Sequence, residues 1–376
     1  MRILFTGPPQ AGHLFPMVPT AQALRAAGHE VLFACSQPLE HIRGAGLTIA
    51  EIGDGSTLRE AFERVVPSTE RGYVTRELPQ GQILDRAALG FAELSRPTVD
   101  GLLATAADWG ADLLVYDSFQ AAAPLVAAKL GIPSVVHNFG IVSGHEMVAR
   151  LAAAFQDMYE KHEVAGPARP VALDVLPASL GGDGDNWRVR CVPYNGGGVV
   201  PAGLLRRGGR PRIAVTLGSV LTHWDGVRSI AGLAEAAGSV DAEFLFAVGG
   251  ADLSALGELP ANITPLPWVP LAELLRTADA LVHHGGSGTL LTAGAAGVPQ
   301  LILPQGADHF TNADAAVAAG FGLRAESEAV DGELLTRLLT DDALRAGAAK
   351  LQAENAALPS PAEIVPDFEA LLAGAR

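Results

Sequence analysis

The chain opens on a short apolar run closed by a tight turn, and later it opens that way again. Arg2–Thr6 (RILFT) ends at Gly7-Pro8-Pro9, and Arg212–Leu217 (RIAVTL) ends at Gly218. Short apolar runs bounded by turn residues read as strands buried on both faces, which means parallel strands. Parallel neighbours need long crossovers, normally helices. Both halves supply that alternation. After the first strand come a helix over Phe15–Ala27, with Ala21, Leu24 and Ala27 on one face and Gly28 as its stop, then strands at Glu30–Ala34 and Thr48–Ile52 around a helix near Pro38–Ala45. Strands Leu113–Tyr116 and Ser134–His137 follow, around a helix over Gln120–Leu130. The second half repeats the pattern with strands at Glu243–Val248, Asn262–Leu266, Ala280–His283 and Gln300–Leu303. Its helices are Asp225–Ala237, one after Pro270, Thr289–Gly297 and Ala313–Gly320. The expected fold is α/β, with two doubly wound sheets.

A length of 376 residues fits two domains at about 150 residues each. The segment 193–211 is rich in Gly, Pro and Arg and reads as linker. The expected division is 1–195, a linker at 196–211, 212–358, and a last helix in 359–376 that returns to the first domain. Pro366 lies inside the helical stretch Pro361–Ala373 and predicts a kink or a broken start. Asp54–Ser95 is charged and poorly periodic, so it reads as a surface excursion of the kind that carries binding. His145–His162 is amphipathic, with Met147, Val148, Leu151, Phe155 and Met158 at helical spacing. That stripe is either core or the wall of an apolar substrate cleft. Facing sheets would leave a cleft at the carboxyl ends of their strands, where such folds bind ligands.

Composition narrows the function. A net charge of −15 makes nucleic acid an unsuitable partner. Two cysteines, Cys35 and Cys191, are too few for a disulfide framework or a zinc cluster. The N-terminal apolar run is a strand rather than a signal peptide, and no apolar stretch is long enough to span a membrane. The expected compartment is the cytoplasm.

Three sets of residues carry chemistry. His13 follows a flexible glycine after the first strand and precedes a helix, a position suited to a general base. Asp117 ends the strand begun at Leu113 on the same sheet edge. It reads either as the partner of His13 or as a helix N-cap, with Ser118 as a rival cap. His283-His284-Gly285-Gly286-Ser287-Gly288-Thr289 joins a strand to a helix. Small residues allow close backbone approach, and a helix N-terminus offers N–H groups to a phosphate; the alternative is a tight structural turn. It matches neither a dinucleotide fingerprint nor a Walker loop. Asp183-Gly184-Asp185 superficially fits a metal-binding DxD, but its Gly-rich surroundings read as a solvated loop, so no metal ligand is assigned.

Taken together, PPQAGHLFP at the start, VTLGS at 215–219, WVP at 268–270, HHGGSGT at 283–289, AAGVPQLILP at 295–304 and GADHFTNA at 306–313 resemble the GT-B-fold natural-product glycosyltransferases of antibiotic biosynthesis. These relate to the plant secondary-metabolite glucosyltransferases. The motifs occur in family order and span nearly the whole chain. The resemblance implies two facing Rossmann-like domains. It makes His13 the base that deprotonates the acceptor hydroxyl, and Asp117 its partner. It gives Ser219 a β-phosphate contact, stacks Trp268 on the nucleobase and lets the Val269 backbone read the base edge. His284 and the Gly286-Ser287-Gly288-Thr289 turn, with the N–H groups of Gly288 and Thr289, become the diphosphate cradle. Asp308 and His309 fall where the family grips the transferred sugar with Asp-Gln, so His309 departs from the pattern. Plant relatives place a ribose-binding Glu three residues past the loop's final Ser/Thr; here that position is Thr292.

The resulting expectation is an inverting transferase that uses no metal or other cofactor. It would move a deoxysugar from a dTDP-sugar to a hydroxyl of an apolar polyketide-like acceptor. A homodimer is compatible with this reading. The rivals are a nucleotide-sugar 2-epimerase of the same fold and a non-catalytic partner protein.

Overall fold

A computed structural model describes residues 1–66, 78–182, 186–218, 230–249 and 252–375. The chain divides into two units. The first comprises Met1–Leu176, Gly182–Val192 and Leu358–Arg376, and the second Pro177–Gly181 and Pro193–Ala357.

The strands of the first unit are β1 (Arg2–Thr6), β2 (Glu30–Cys35), β3 (Ile49–Glu51), β4 (Leu113–Asp117), β5 (Ser134–His137), β6 (Val171–Asp174) and β7 (Trp187–Arg188). They form one parallel sheet in the order β3-β2-β1-β4-β5-β6-β7. Its helices are α1 (Ala11–Leu14), α2 (Val18–Ala26), α3 (Glu40–Arg43), α4 (Leu58–Val65), α5 (Gln80–Ser95), α6 (Val99–Trp109), α7 (Ala122–Leu130), α8 (Gly144–Ala154) and α9 (Gln156–Lys161). The second unit has β8 (Arg212–Thr216), β9 (Glu243–Ala247), β10 (Ile263–Leu266), β11 (Ala280–His283), β12 (Gln300–Ile302) and β13 (Gly322–Arg324). These are again parallel, in the order β10-β9-β8-β11-β12-β13. Its helices are α10 (Ala231–Ala237), α11 (Leu271–Leu275), α12 (Ser287–Ala296), α13 (His309–Ala318), α14 (Gly332–Thr340) and α15 (Asp342–Ala357); α16 (Val365–Ala375) belongs to the first unit. Every residue of β4, β5, β8, β11 and β12 is buried, the signature of strands covered on both faces.

Several expectations need correction. Asp54–Ser95 is not an irregular excursion. Thr57 and Glu60 form a capping box that starts α4, and α5 turns Ile83, Leu84, Ala88 and Phe91 into the core. Gly90 lies against the Phe62 ring, where any side chain would collide, so the two helices pack closely at that point. Residues 67–77 of that stretch lie outside the described residues. His145–His162 is two helices, α8 and α9, broken at Phe155, and its apolar stripe is fully enclosed as core rather than a cleft wall.

The segment 193–211 is not a free linker, because Leu204 is buried among Leu266, Val269 and Leu274 of the second unit. The unit boundary therefore lies before Pro193, and Pro177–Gly181 also belongs to the second unit. The final helix begins only at Val365. Pro366 then falls in its first turn, where a missing N–H costs nothing, so of the two outcomes expected for Pro361–Ala373 the broken start holds and the kink does not. Strands β6, β7 and β13 add to those expected from the sequence. No helix of the described residues is long and apolar enough to cross a membrane.

Candidate active-site residues

In both sheets the strand order reverses beside the first strand: β1 lies between β2 and β4, and β8 between β9 and β11. Loops leaving such a pair diverge to opposite faces and open a crevice at the carboxyl ends. His13 lies just past β1 and Asp117 is the last residue of β4. In the second unit Gly218 follows β8 and His284 follows β11.

His13 sits in α1 itself, not in a loop before a helix. Its Nδ1 is 3.0 Å from Oδ1 of Asp117, whose side chain is 1% exposed. With the carboxylate as acceptor, Nδ1 carries the hydrogen and Nε2 presents its lone pair. No partner occupies that Nε2 among the described residues. The same Oδ1 accepts the Phe119 N–H at 2.8 Å, so Asp117 caps its own turn and orients His13 at once. Its Oδ2 is buried without a partner. Three phenylalanines surround the imidazole edge-on: Phe139, Phe91 and Phe119, with ring centroids at 4.7, 5.1 and 5.3 Å. Phe119 and Phe139 each stand two residues beyond the end of a strand, β4 and β5. The strand-end rule that selects Asp117 would have found them too.

In the second unit the two adjacent histidines divide their tasks. His283 accepts the Gly285 N–H at Nδ1 and donates from Nε2 to Gln300 Oε1 at 2.8 Å. Burial pushes it down to about 3, so it is a neutral anchor for the loop. His284 lies against Gly218 and Gly286, where a side chain on either glycine would strike its ring. Its Nδ1 has no partner, and burial and the neighbouring histidines His309 and His283 hold it well below the usual range. At neutral pH it offers a hydrogen bond, not a charge. Helix α12 starts at Gly286 without a side-chain cap. The N–H groups of Ser287 and Gly288 have no protein acceptor among the described residues, and a Cβ on Gly288 would meet nothing within 4 Å. Thr289 differs from expectation, because its N–H is bonded to the Gly286 carbonyl at 3.0 Å. What remains of it for a ligand is the hydroxyl.

Asp308 Oδ2 accepts from Ser287 Oγ at 2.9 Å and Asn312 Nδ2 at 2.8 Å, leaving Oδ1 open. The Asn312 amide, to which the sequence motifs assign no role, also reaches the Gly285 carbonyl and Ser287 Oγ, joining the two loops. The His309 ring meets His284 edge-on at 4.8 Å, and burial lowers its pKa against the opposing pull of Asp308. Trp268 is 48% exposed, while Val269 is buried. Thr292 is a correction: it is 2% exposed, donates to the Gly288 carbonyl at 2.7 Å and accepts from Asn195 Nδ2 at 3.2 Å. It cannot serve as a ribose ligand. Ser219, Asp183 and Asp185 lie outside the described residues, among which no metal-ligating cluster occurs.

Comparison with known proteins gives these positions a context. Residues 22–218 match the N-terminal domain described as erythromycin biosynthesis protein CIII-like, and residues 231–371 match the C-terminal domain of that description. The elloramycin glycosyltransferase of Streptomyces olivaceus is 39% identical, covering 97% of this chain and 96% of the relative. The crystal structure of the glycosyltransferase SnogD from Streptomyces nogalater superposes with a TM-score of 0.86 at 40% identity, covering 99% of each chain. The spinosyn rhamnosyltransferase SpnG complexed with thymidine diphosphate reaches 0.83 at 30% identity, over 98% of this chain and all of that one.

Proposed function

This chain belongs to the erythromycin biosynthesis protein CIII-like family of antibiotic-biosynthesis glycosyltransferases and is itself a glycosyltransferase; on that premise we propose which sugar donor it uses and how it reacts. It takes a deoxysugar from a dTDP-sugar and places it on a hydroxyl of an apolar polyketide-like acceptor. His13 Nε2 removes the acceptor proton and Asp117 supports the imidazolium that forms. The freed oxygen attacks the anomeric carbon while the bond from that carbon to the diphosphate oxygen breaks, and dTDP leaves. A single displacement inverts the configuration.

The observation that carries this reading is the His13–Asp117 pair, with Nε2 left unpartnered and phenylalanine rings around it. The apolar surround favours an apolar acceptor and keeps the proton transfer away from bulk water. On the donor side, Trp268 stacks on the base and the Val269 backbone reads its edge. The Ser287 and Gly288 N–H groups, the Thr289 hydroxyl, neutral His284 and Ser219 receive the diphosphate. Donors fixed in place at a helix N-terminus stabilise developing negative charge without a metal ion. Asp308 Oδ1 and His309 hold the sugar. Thr292 offers a ribose neither a carboxylate nor a free hydroxyl, so a 2′-deoxyribose loses little here, and SpnG has been crystallised with the thymidine nucleotide.

The test offers dTDP- and UDP-deoxysugars with polyketide phenols and macrolactones, under excess chelator, and follows product by mass spectrometry. Glycoside from the dTDP donor with chelator present is expected. Product from UDP-sugars alone, or only after Mg²⁺ or Mn²⁺ is restored, overturns the reading.

A further inference from the structure

The strap Asn195–Gly198 runs along the donor half of the second unit. The Asn195 side chain makes two bonds in different directions. Its Oδ1 accepts the Ala272 N–H at 2.9 Å, in the first turn of α11, directly behind Trp268-Val269-Pro270. Its Nδ2 donates to Thr292 Oγ1 at 3.2 Å, and that hydroxyl donates onward to the Gly288 carbonyl at 2.7 Å, in the first turn of α12. Three residues further along the strap, Gly198 comes so close to the Trp268 segment that a Cβ there would lie 2.8 Å from Pro270 Cδ and 3.5 Å from Trp268 Cδ1. Gly249 also borders the Trp268 ring, with a Cβ position in ordinary contact at 3.6 Å from its Cε3. Neither α11 nor α12 has a side-chain cap from its own N-cap residue. One polar chain, Ala272–Asn195–Thr292–Gly288, therefore joins the first turns of both helices.

We propose that Asn195 and Thr292 are positioning residues that set the spacing between the Trp268 platform and the N-terminus of α12, and so match the site to the length of a nucleoside diphosphate. The proposal rests on the donor reading above, in which Trp268 takes the base and Ser287 and Gly288 take the diphosphate. A ligand that engages both ends gains from their fixed distance, because the second contact is made without a further loss of freedom. A fragment that engages one end gains nothing from it. Loosening the strap should therefore weaken the whole nucleotide and spare its parts. A merely structural role would weaken all of them together.

The experiment titrates dTDP, thymidine and pyrophosphate into the wild type, Asn195→Ala, Thr292→Val and the double variant. Ligand-observed NMR serves for the weak fragments. Each single variant should bind dTDP about five- to tenfold more weakly, in line with loss of a neutral hydrogen bond. The double variant should be no worse than the weaker single, since both break one chain. Thymidine and pyrophosphate should bind as to the wild type, and Thr292→Ser, which keeps the hydroxyl, should restore dTDP affinity and guard against a variant that fails to fold. Unchanged dTDP affinity, or equal losses for dTDP and both fragments, overturns the proposal. Trp268→Ala is the control on its premise. Loss of thymidine binding in that variant supports the donor reading independently of the strap. Retained thymidine binding would overturn that reading and this inference with it.

Discussion

Replacing Asp117 with Asn separates the two tasks that one carboxylate oxygen performs. Oδ1 accepts from His13 Nδ1 at 3.0 Å and from the Phe119 N–H at 2.8 Å, while Oδ2 is buried with nothing to bond. An asparagine oxygen can keep both bonds by remaining in the Oδ1 position. Its amide group then fills the Oδ2 position, where two N–H donors find no acceptor. An unsatisfied buried group costs about 1–3 kcal/mol, so the variant should fold with a lowered melting temperature. The catalytic effect is distinct. When His13 takes the acceptor proton, the wild type has a carboxylate beside the new positive charge and the variant has a neutral amide. The difference between a charge-assisted and a neutral hydrogen bond is about 1–1.5 kcal/mol. At about 1.36 kcal/mol per tenfold, kcat should fall by about five- to tenfold, while the Kd for dTDP stays within a factor of about two. Stopped assays of product with a saturating donor, alongside a thermal melt, supply both numbers. A kcat within about twofold of the wild type would show that Asp117 only caps its turn.

Further outcomes follow from the same geometry. His13→Ala should lower kcat by about 10²–10⁴ with dTDP affinity preserved, measured by steady-state kinetics and calorimetry; near-normal turnover would remove His13 from the chemistry. Stability should fall with acidification, because His137 and His283 are 1% and 2% exposed and burial pushes them down to about 4 and about 3. Above about pH 6.5 both are neutral in either state, whereas below it the unfolded chain binds the protons first; at about pH 5.5 each costs about 1.4 kcal/mol. Urea midpoints at about pH 7.5 and about pH 5.5 check this, and equal midpoints would contradict it. Placing a methyl group on Gly218, by Gly218→Ala, should displace the His284 ring and weaken dTDP binding by titration, whereas unchanged affinity would show that the ring is not part of the diphosphate cradle.

Strand positions were legible because burial on both faces writes itself as uninterrupted apolar runs, as in Leu113–Asp117 and Ala280–His283. The strand-end rule then located His13, Asp117 and the glycine loop. The α4–α5 region was not legible. Charged residues crowd α4, which buries only Ala61, and the cue that was present, Thr57 three residues before Glu60, is local. The segment from Pro193 misled for another reason. Glycines read as freedom in a sequence, but at Gly198 the Pro270 ring leaves no space for a side chain. Thr292 was misplaced because a count along a helix cannot tell which side of it faces the ligand. Only the bonds to Gly288 and Asn195 show that its hydroxyl points inward. The phenylalanines around His13 come from three separate elements and meet only in the fold.

The anomeric configuration of the product tests the central claim most directly. A dTDP-deoxysugar of known configuration is incubated with enzyme and acceptor, and the coupling constant of the anomeric proton is read by NMR from the isolated glycoside. One displacement by an oxygen that His13 has deprotonated predicts the opposite configuration to that of the donor. Retention would mean that the acceptor oxygen arrived on the face the diphosphate left, and would contradict the mechanism assigned to His13 and Asp117.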